Sequence, residues 1–244
     1  MIGLVMAALL SVVLAGLASA HGRGDERRLL TYQVTLKNLT HGQPFSPPVA
    51  ATHTGGVHEF RVGRLATDQL AAIAQDGDPG PMFALLSGAK HVTQAVNVGR
   101  PLTPAGSVAG GFSDSVTFTI QAREGDRFSI ATMLICTNDG FTGLDGVKLP
   151  DEGRATYWLN AYDAGREQNT ERSVDIVDPC SALGPVMLAG DPNGNRDAAV
   201  ATVPAQVIQP HPGIHGGGDL SPALHGWTDP VAQVTITLIS GDDD

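Results

Sequence analysis

Beyond its first twenty residues the chain has no apolar run long enough to cross a bilayer as a helix. Charge is also scarce. Only 16% of residues are charged, and Lys+Arg number 15 against 25 Asp+Glu, a net charge of −10. A chain so short of cations lacks the basic footprint of nucleic-acid binding and of electrostatic attachment to anionic lipid. There is no G-x-S-x-G elbow and no H-E-x-x-H, and Ser113-Asp114-Ser115 reads as a turn rather than as the setting of a nucleophile. No internal repeat or linker divides the chain. The 244 residues, 42% of them hydrophobic, suit one medium domain with a substantial core.

What is present points outward from the cytosol. Ile2 to Leu17 is uncharged and largely apolar, and Ala18-Ser19-Ala20 follows directly. Small residues in an A-x-A arrangement favour a signal peptide at 1–20, cleaved after Ala20, over an uncleaved anchor. The basic n-region usual in such segments is missing. The expected localisation is secreted or at the surface of the cell envelope. Two cysteines, Cys136 and Cys180, in an exported chain read as one disulfide, with two buried free thiols as the alternative. Residues 21–30 read as a disordered polar leader, 31–241 as the folded domain, and Asp242-Asp243-Asp244 as a solvated tail.

Alternation marks the strands. Tyr32–Lys37, Val116–Gln121 and Val234–Ile239 each alternate apolar and polar residues, as half-buried strands do. Arg127 to Cys136 predicts a strand buried on both sides through Met133-Leu134-Ile135, and Thr156–Leu159 a shorter one. One helix is expected, capped by Thr67, with Leu70, Ile73 and Ala74 on one face and Gly77 at its end. Met82–Leu86 would extend the same cover over the sheet. Thirty Gly and sixteen Pro punctuate the rest. The predicted fold is all-β, an antiparallel sandwich.

Two acidic turns carry the functional signal. Cys136-Thr137-Asn138-Asp139-Gly140-Phe141-Thr142-Gly143-Leu144-Asp145 comes first, and Tyr162-Asp163-Ala164-Gly165 comes second. Clustered carboxylates with backbone carbonyls nearby suit a hard cation such as Ca2+. Asp139 and Asp163 would be the main donors, Asp145 next, with Asn138 or Glu167 as extras and carbonyls near Leu144 completing the shell. On pattern alone the competing reading leads, in which both Asp residues are Asx-turn residues bonding their own backbone.

Both segments resemble the spondin N-terminal domains of F-spondin and mindin. Asn138–Asp145 is similar to that family's Pro-Asp-Trp-Phe-Val-Gly-hydrophobic-Asp stretch, and Tyr162–Gly165 to its Tyr-Asp-Ala-Gly. The resemblance extends to Tyr32–Leu36 as opening strand, Phe45-Ser46-Pro47-Pro48 with Thr52-His53, the helical segment Leu70 to Leu86, and Asp229–Thr235 as closing strand. Gly140 replaces the family's Trp, Arg166-Glu167 replaces its Thr-Asp, and Ser181 to Gly226 has no correspondence. The resemblance implies an eight-stranded sandwich of C2-like topology with one or two short covering helices. It also implies a calcium ion at the end carrying Asp139 and Asp163, which reverses the order of the two readings above.

Other constellations are weaker. Asp191–Asp197 places oxygen side chains at alternate positions, but lacks the sixth-position glycine and the bidentate Glu of an EF-hand. His211 and His215, with His225 beyond, have a tolerable spacing for zinc or copper, but Pro212 and Gly213 preclude a helix holding both on one face. His21 would become the mature N-terminus, where amine and imidazole can chelate copper. Arg23-Gly24-Asp25 reads as a chance tripeptide in the leader. Asn38-Leu39-Thr40 fits the glycosylation sequon.

The expectation is a secreted, non-catalytic adhesion or recognition module that binds one Ca2+. Its partner would be an extracellular or cell-surface protein or glycan, not nucleic acid. The alternative is a copper-dependent or hydrolytic enzyme built on His21, His211 and His215.

Overall fold

The structure is a computed structural model that describes residues 27–177, 180, 183–184 and 200–241. The expected signal peptide, His21, the Asp191–Asp197 loop and the acidic tail lie outside the described residues.

Two antiparallel sheets and a helical cover form three layers. The first sheet holds β4 (Ser115–Arg123), β1 (Leu29–Asn38), β10 (Ala232–Gly241) and β7 (Arg154–Leu159), in that order. The second runs β3 (Val92–Asn97), β2 (Val49–His53), β5 (Arg127–Met133), β6 (Gly140–Lys148), β8 (Ala161–Asp163) and β9 (Gln209–Pro210). The all-β sandwich expected from the sequence is therefore present, with ten strands among the described residues where eight were expected, of which β8 and β9 are very short. β1 begins at Leu29, two residues ahead of the predicted domain start at 31.

The alternation of β1, β4 and β10 does the predicted work. Leu30, Tyr32, Val34 and Leu36 point inward with Ile120, Val234 and Ile236, and pack on Ala50, Phe128 and Ile130 of the second sheet. The second sheet is covered again on its far face. Val49, Ala51, Ala131 and Phe141 meet Leu70 and Ile73 of α1 (Asp68–Asp76) and Met82 and Leu86 of α2 (Gly80–Ser87). That double cover is why β2 is buried at every position and shows no alternation.

α1 has the predicted ends. Thr67 Oγ1 accepts from Leu70 N at 3.2 Å, and Gly77 takes the left-handed conformation at φ 65°. β5 stops at Met133, short of Cys136. Beyond it Ile135 N donates to Pro44 O and Cys136 N to Gln43 Oε1, so this stretch is held by the Gln43 segment rather than by a strand partner. A third cluster, with Ile135, Ile176, Leu183, Ile214 and Leu220, surrounds the Cys136–Cys180 disulfide. The predicted cross-link is present, and Asp178-Pro179 of its expected turn lies outside the described residues.

Candidate cation site

The two acidic segments meet in the second sheet. Gly140, the first residue of β6, pairs with Asp163, the last of β8, and Ala164 N donates to the Asp139 carbonyl at 3.1 Å. Asp139 and Asp163 are thereby brought to one end of the sheet, and both are buried.

Their bonding differs. Asp163 Oδ1 accepts from Gly165 N at 2.6 Å, the Asx turn of the competing reading, and its Oδ2 accepts from Asn169 Nδ2 at 2.7 Å. Asp139 forms no turn on its own backbone. Its Oδ2 accepts from Arg166 N at 2.7 Å and Glu167 N at 2.9 Å, across the strand pair. The hydroxyl that does turn this segment is Thr137 Oγ1, which accepts from Gly140 N at 2.8 Å.

One oxygen of Asp139, Oδ1, is buried without a hydrogen-bond partner. Burial, reinforced by the adjacent Asp163 carboxylate, raises the Asp139 pKa to about 7 despite the two backbone donors. Glu167 joins the same group. Its Oε1 accepts from Gln75 Nε2 of α1 at 2.8 Å, while its Oε2 is buried and unpartnered. Burial raises its pKa to about 9, the Gln75 hydrogen bond opposing and Asp139 adding to the shift. A polar cavity of 480 Å³ opens beside Asp163, Glu167 and Asn169.

Asp145, expected as the next donor, is not brought to this group. It lies in the second half of β6, where its Oδ2 contacts His58 Nδ1 at 2.5 Å and its Oδ1 accepts from Glu59 N at 2.8 Å. Leu144, whose carbonyl was expected nearby, pairs with Ile130 in the same half of the strand. Asn138 is also committed elsewhere. Its Oδ1 accepts from Glu171 N, and its amide donates to Thr170 Oγ1.

Gly140 has a local explanation. A Cβ there would stand 2.5 Å from Thr137 Oγ1 and 3.0 Å from His211 Cδ2. His211 itself is packed edge-on against Trp227 at 5.0 Å. Its Nδ1 accepts from Gly213 N at 3.0 Å, so the neutral ring carries its proton on Nε2. Burial lowers the His211 pKa to about 4, which keeps the ring neutral. In that tautomer Nε2 has no lone pair to offer a metal.

The unpartnered acceptors at this end are oxygens, Asp139 Oδ1 and Glu167 Oε2, beside the Asp163 carboxylate. Their chemistry fits a hard cation rather than zinc or copper. Among the described residues, no group of three or more His, Cys, Asp or Glu side chains could hold a metal ion, so Asp139 and Asp163 stand as a pair of carboxylates with Glu167 beside them. Backbone carbonyls, amide side chains or water would have to complete a shell. The main-chain donors at Arg166 and Glu167 were invisible in the sequence, where Glu167 was expected only as an extra side-chain donor. No protein-family model matches the chain, and comparison with curated proteins gives no match.

Proposed function

We propose that the chain is a non-catalytic recognition module of the spondin type, exported, whose sandwich end is fixed by one Ca2+ held by Asp139 and Asp163 beside Glu167, with backbone carbonyls, amide side chains or water completing the shell. The observation that carries this reading is Asp139 Oδ1, a buried carboxylate oxygen without a partner beside a second buried carboxylate. Like charges brought together in a partly desolvated site repel, and a cation removes that repulsion. Bound Ca2+ would supply electrostatic neutralisation. The protein's own residues do the positioning: Arg166 N and Glu167 N fix Asp139, Gly165 N and Asn169 fix Asp163, and Gln75 ties Glu167 to α1. The cation would thereby couple β6, β8 and the helical cover. An extracellular or cell-surface protein or glycan would be the partner.

Calorimetric titration of chelator-stripped protein with CaCl2 tests the assignment. One site per chain is expected, lost in Asp139→Asn and Asp163→Asn and kept in Asp145→Asn. Binding that survives the first two substitutions, or no binding to the wild type, refutes it.

A further inference from the structure

The outer face of the four-stranded sheet is open to solvent, and its composition is unlike the rest of the molecule. Strand register places Thr117, Thr35, Thr235 and Thr156 in one row across β4, β1, β10 and β7. Thr35 and Thr117 hydroxyls are 2.8 Å apart, and strand register continues the row through Thr235 and Thr156. At the usual strand spacing of about 4.8 Å, four strands carry it across roughly 14 Å.

The rows on either side bring charge. Lys37 of β1 lies in the row that ends at Trp158, and Arg154 closes the opposite row beyond Thr237. Lys37 and Arg154 are exposed, and Trp158 is 59% exposed at the sheet edge. None of the outward positions of the four strands is an Asp or Glu, although the chain carries 25 of these and a net charge of −10. A hydroxyl row flanked by cations and edged by an indole is a local exception to an acidic surface. It complements a ligand that is both polyhydroxylated and anionic, with the indole offering an apolar platform to a sugar ring. The right-handed twist of the sheet spoils registry with a flat rigid lattice but is followed by a flexible chain.

We infer that this face is a docking surface for an acidic polysaccharide, contacted through the threonine row and held by Lys37 and Arg154. The inference rests on the reading of the chain as a recognition module, and it does not involve the cation end. The overall charge of the protein repels such a polymer, so attraction must be local to this face.

The test is titration of the full folded chain with sodium polygalacturonate at low ionic strength in excess chelator, with neutral dextran as the comparison. The wild type is expected to bind polygalacturonate and not dextran, with affinity falling as salt is added. The Lys37→Glu/Arg154→Glu double variant should bind about tenfold more weakly, since attraction is replaced by repulsion at both positions. Trp158→Ala, which leaves the charge untouched, should also weaken binding. Equal binding of dextran, no binding by the wild type, or unchanged affinity in both variants overturns the inference. Calcium titration of the same double variant separates the two claims: intact calcium binding with lost polymer binding leaves the cation site standing.

Discussion

Asp139 bonds not to its own turn but to the backbone of Glu167, whose N–H donates to Asp139 Oδ2 at 2.9 Å while its side chain carries the second unpartnered carboxylate oxygen of the site. Asp139 is therefore both an organiser of the Arg166–Glu167 segment and a source of unbalanced charge. That tension sets the behaviour expected of the protein without metal.

The pH dependence follows from the raised carboxyls. Asp139 titrates at about 7 and Glu167 at about 9 in the fold, against ordinary unfolded values near 4. Between those limits the folded state holds protons that the unfolded state has released. Stability is then fully present near pH 4 and is lost as pH rises through 7 and toward 9. Thermal unfolding in chelator should show a melting temperature that falls over this range. Asp139→Asn should flatten the part of the fall below about pH 7. A metal-free melting temperature that rises steadily from pH 4 to 8 would contradict the assignment.

Glu59 offers an independent case. Both its carboxyl oxygens are buried without partners, and burial together with Asp145 pushes its pKa well above the carboxylate range. Glu59→Met should raise stability by about 1–3 kcal/mol, because it removes a buried polar group that nothing satisfies. The gain should grow as pH rises, since the wild-type acid becomes harder to keep protonated. Chemical denaturation at pH 5 and pH 8 reads both the sign and the trend.

The disulfide closes a separation of 44 residues and sits in a small apolar cluster. Replacing Cys136 and Cys180 together by Ser should cost roughly 3–4 kcal/mol in the chain-entropy view, since the reduced unfolded chain regains that loop freedom. Denaturant midpoints of the oxidised wild type and the double variant measure it.

Gly140→Ala tests the packing beneath the site. The added Cβ would meet Thr137 Oγ1 at 2.5 Å, the atom that turns the segment. A loss of about 1–3 kcal/mol is expected, as for other overpacked positions. Gly140→Ala in a Thr137→Ser background, which keeps the hydroxyl, should lose as much.

The first sheet was legible because one of its faces is wet. β1, β4 and β10 show their alternation directly, and the helix α1 announced both ends through Thr67 and Gly77. β2 and β6 were not legible. Val49–His53 is buried at every position, which erases the alternation. Gly140 and Gly143 read as turn residues, yet both lie in β6, and Gly143 is a glycine because a Cβ there would stand 2.2 Å from Ile130 O. Asp139 and Asp163 were expected at one end of the fold, and the Gly140–Asp163 pairing brings them there. Asp145 was misplaced for a geometric reason. It shares a motif with Asp139, but an extended strand carries it away toward His58 and Glu59.

The most direct test of the cation site is thermal unfolding of the folded domain at pH 7.5 in excess chelator and in saturating CaCl2. With free calcium at about 100 times its dissociation constant, the fold should gain about 2.7 kcal/mol. For a chain of this size that is a rise of roughly 5–10 °C in melting temperature. The rise should vanish in Asp139→Ala and Asp163→Ala and persist in Asp145→Ala. No calcium-dependent rise in the wild type, or a full rise in the Asp139 and Asp163 variants, would contradict the account and leave these residues as backbone-bonding carboxylates only.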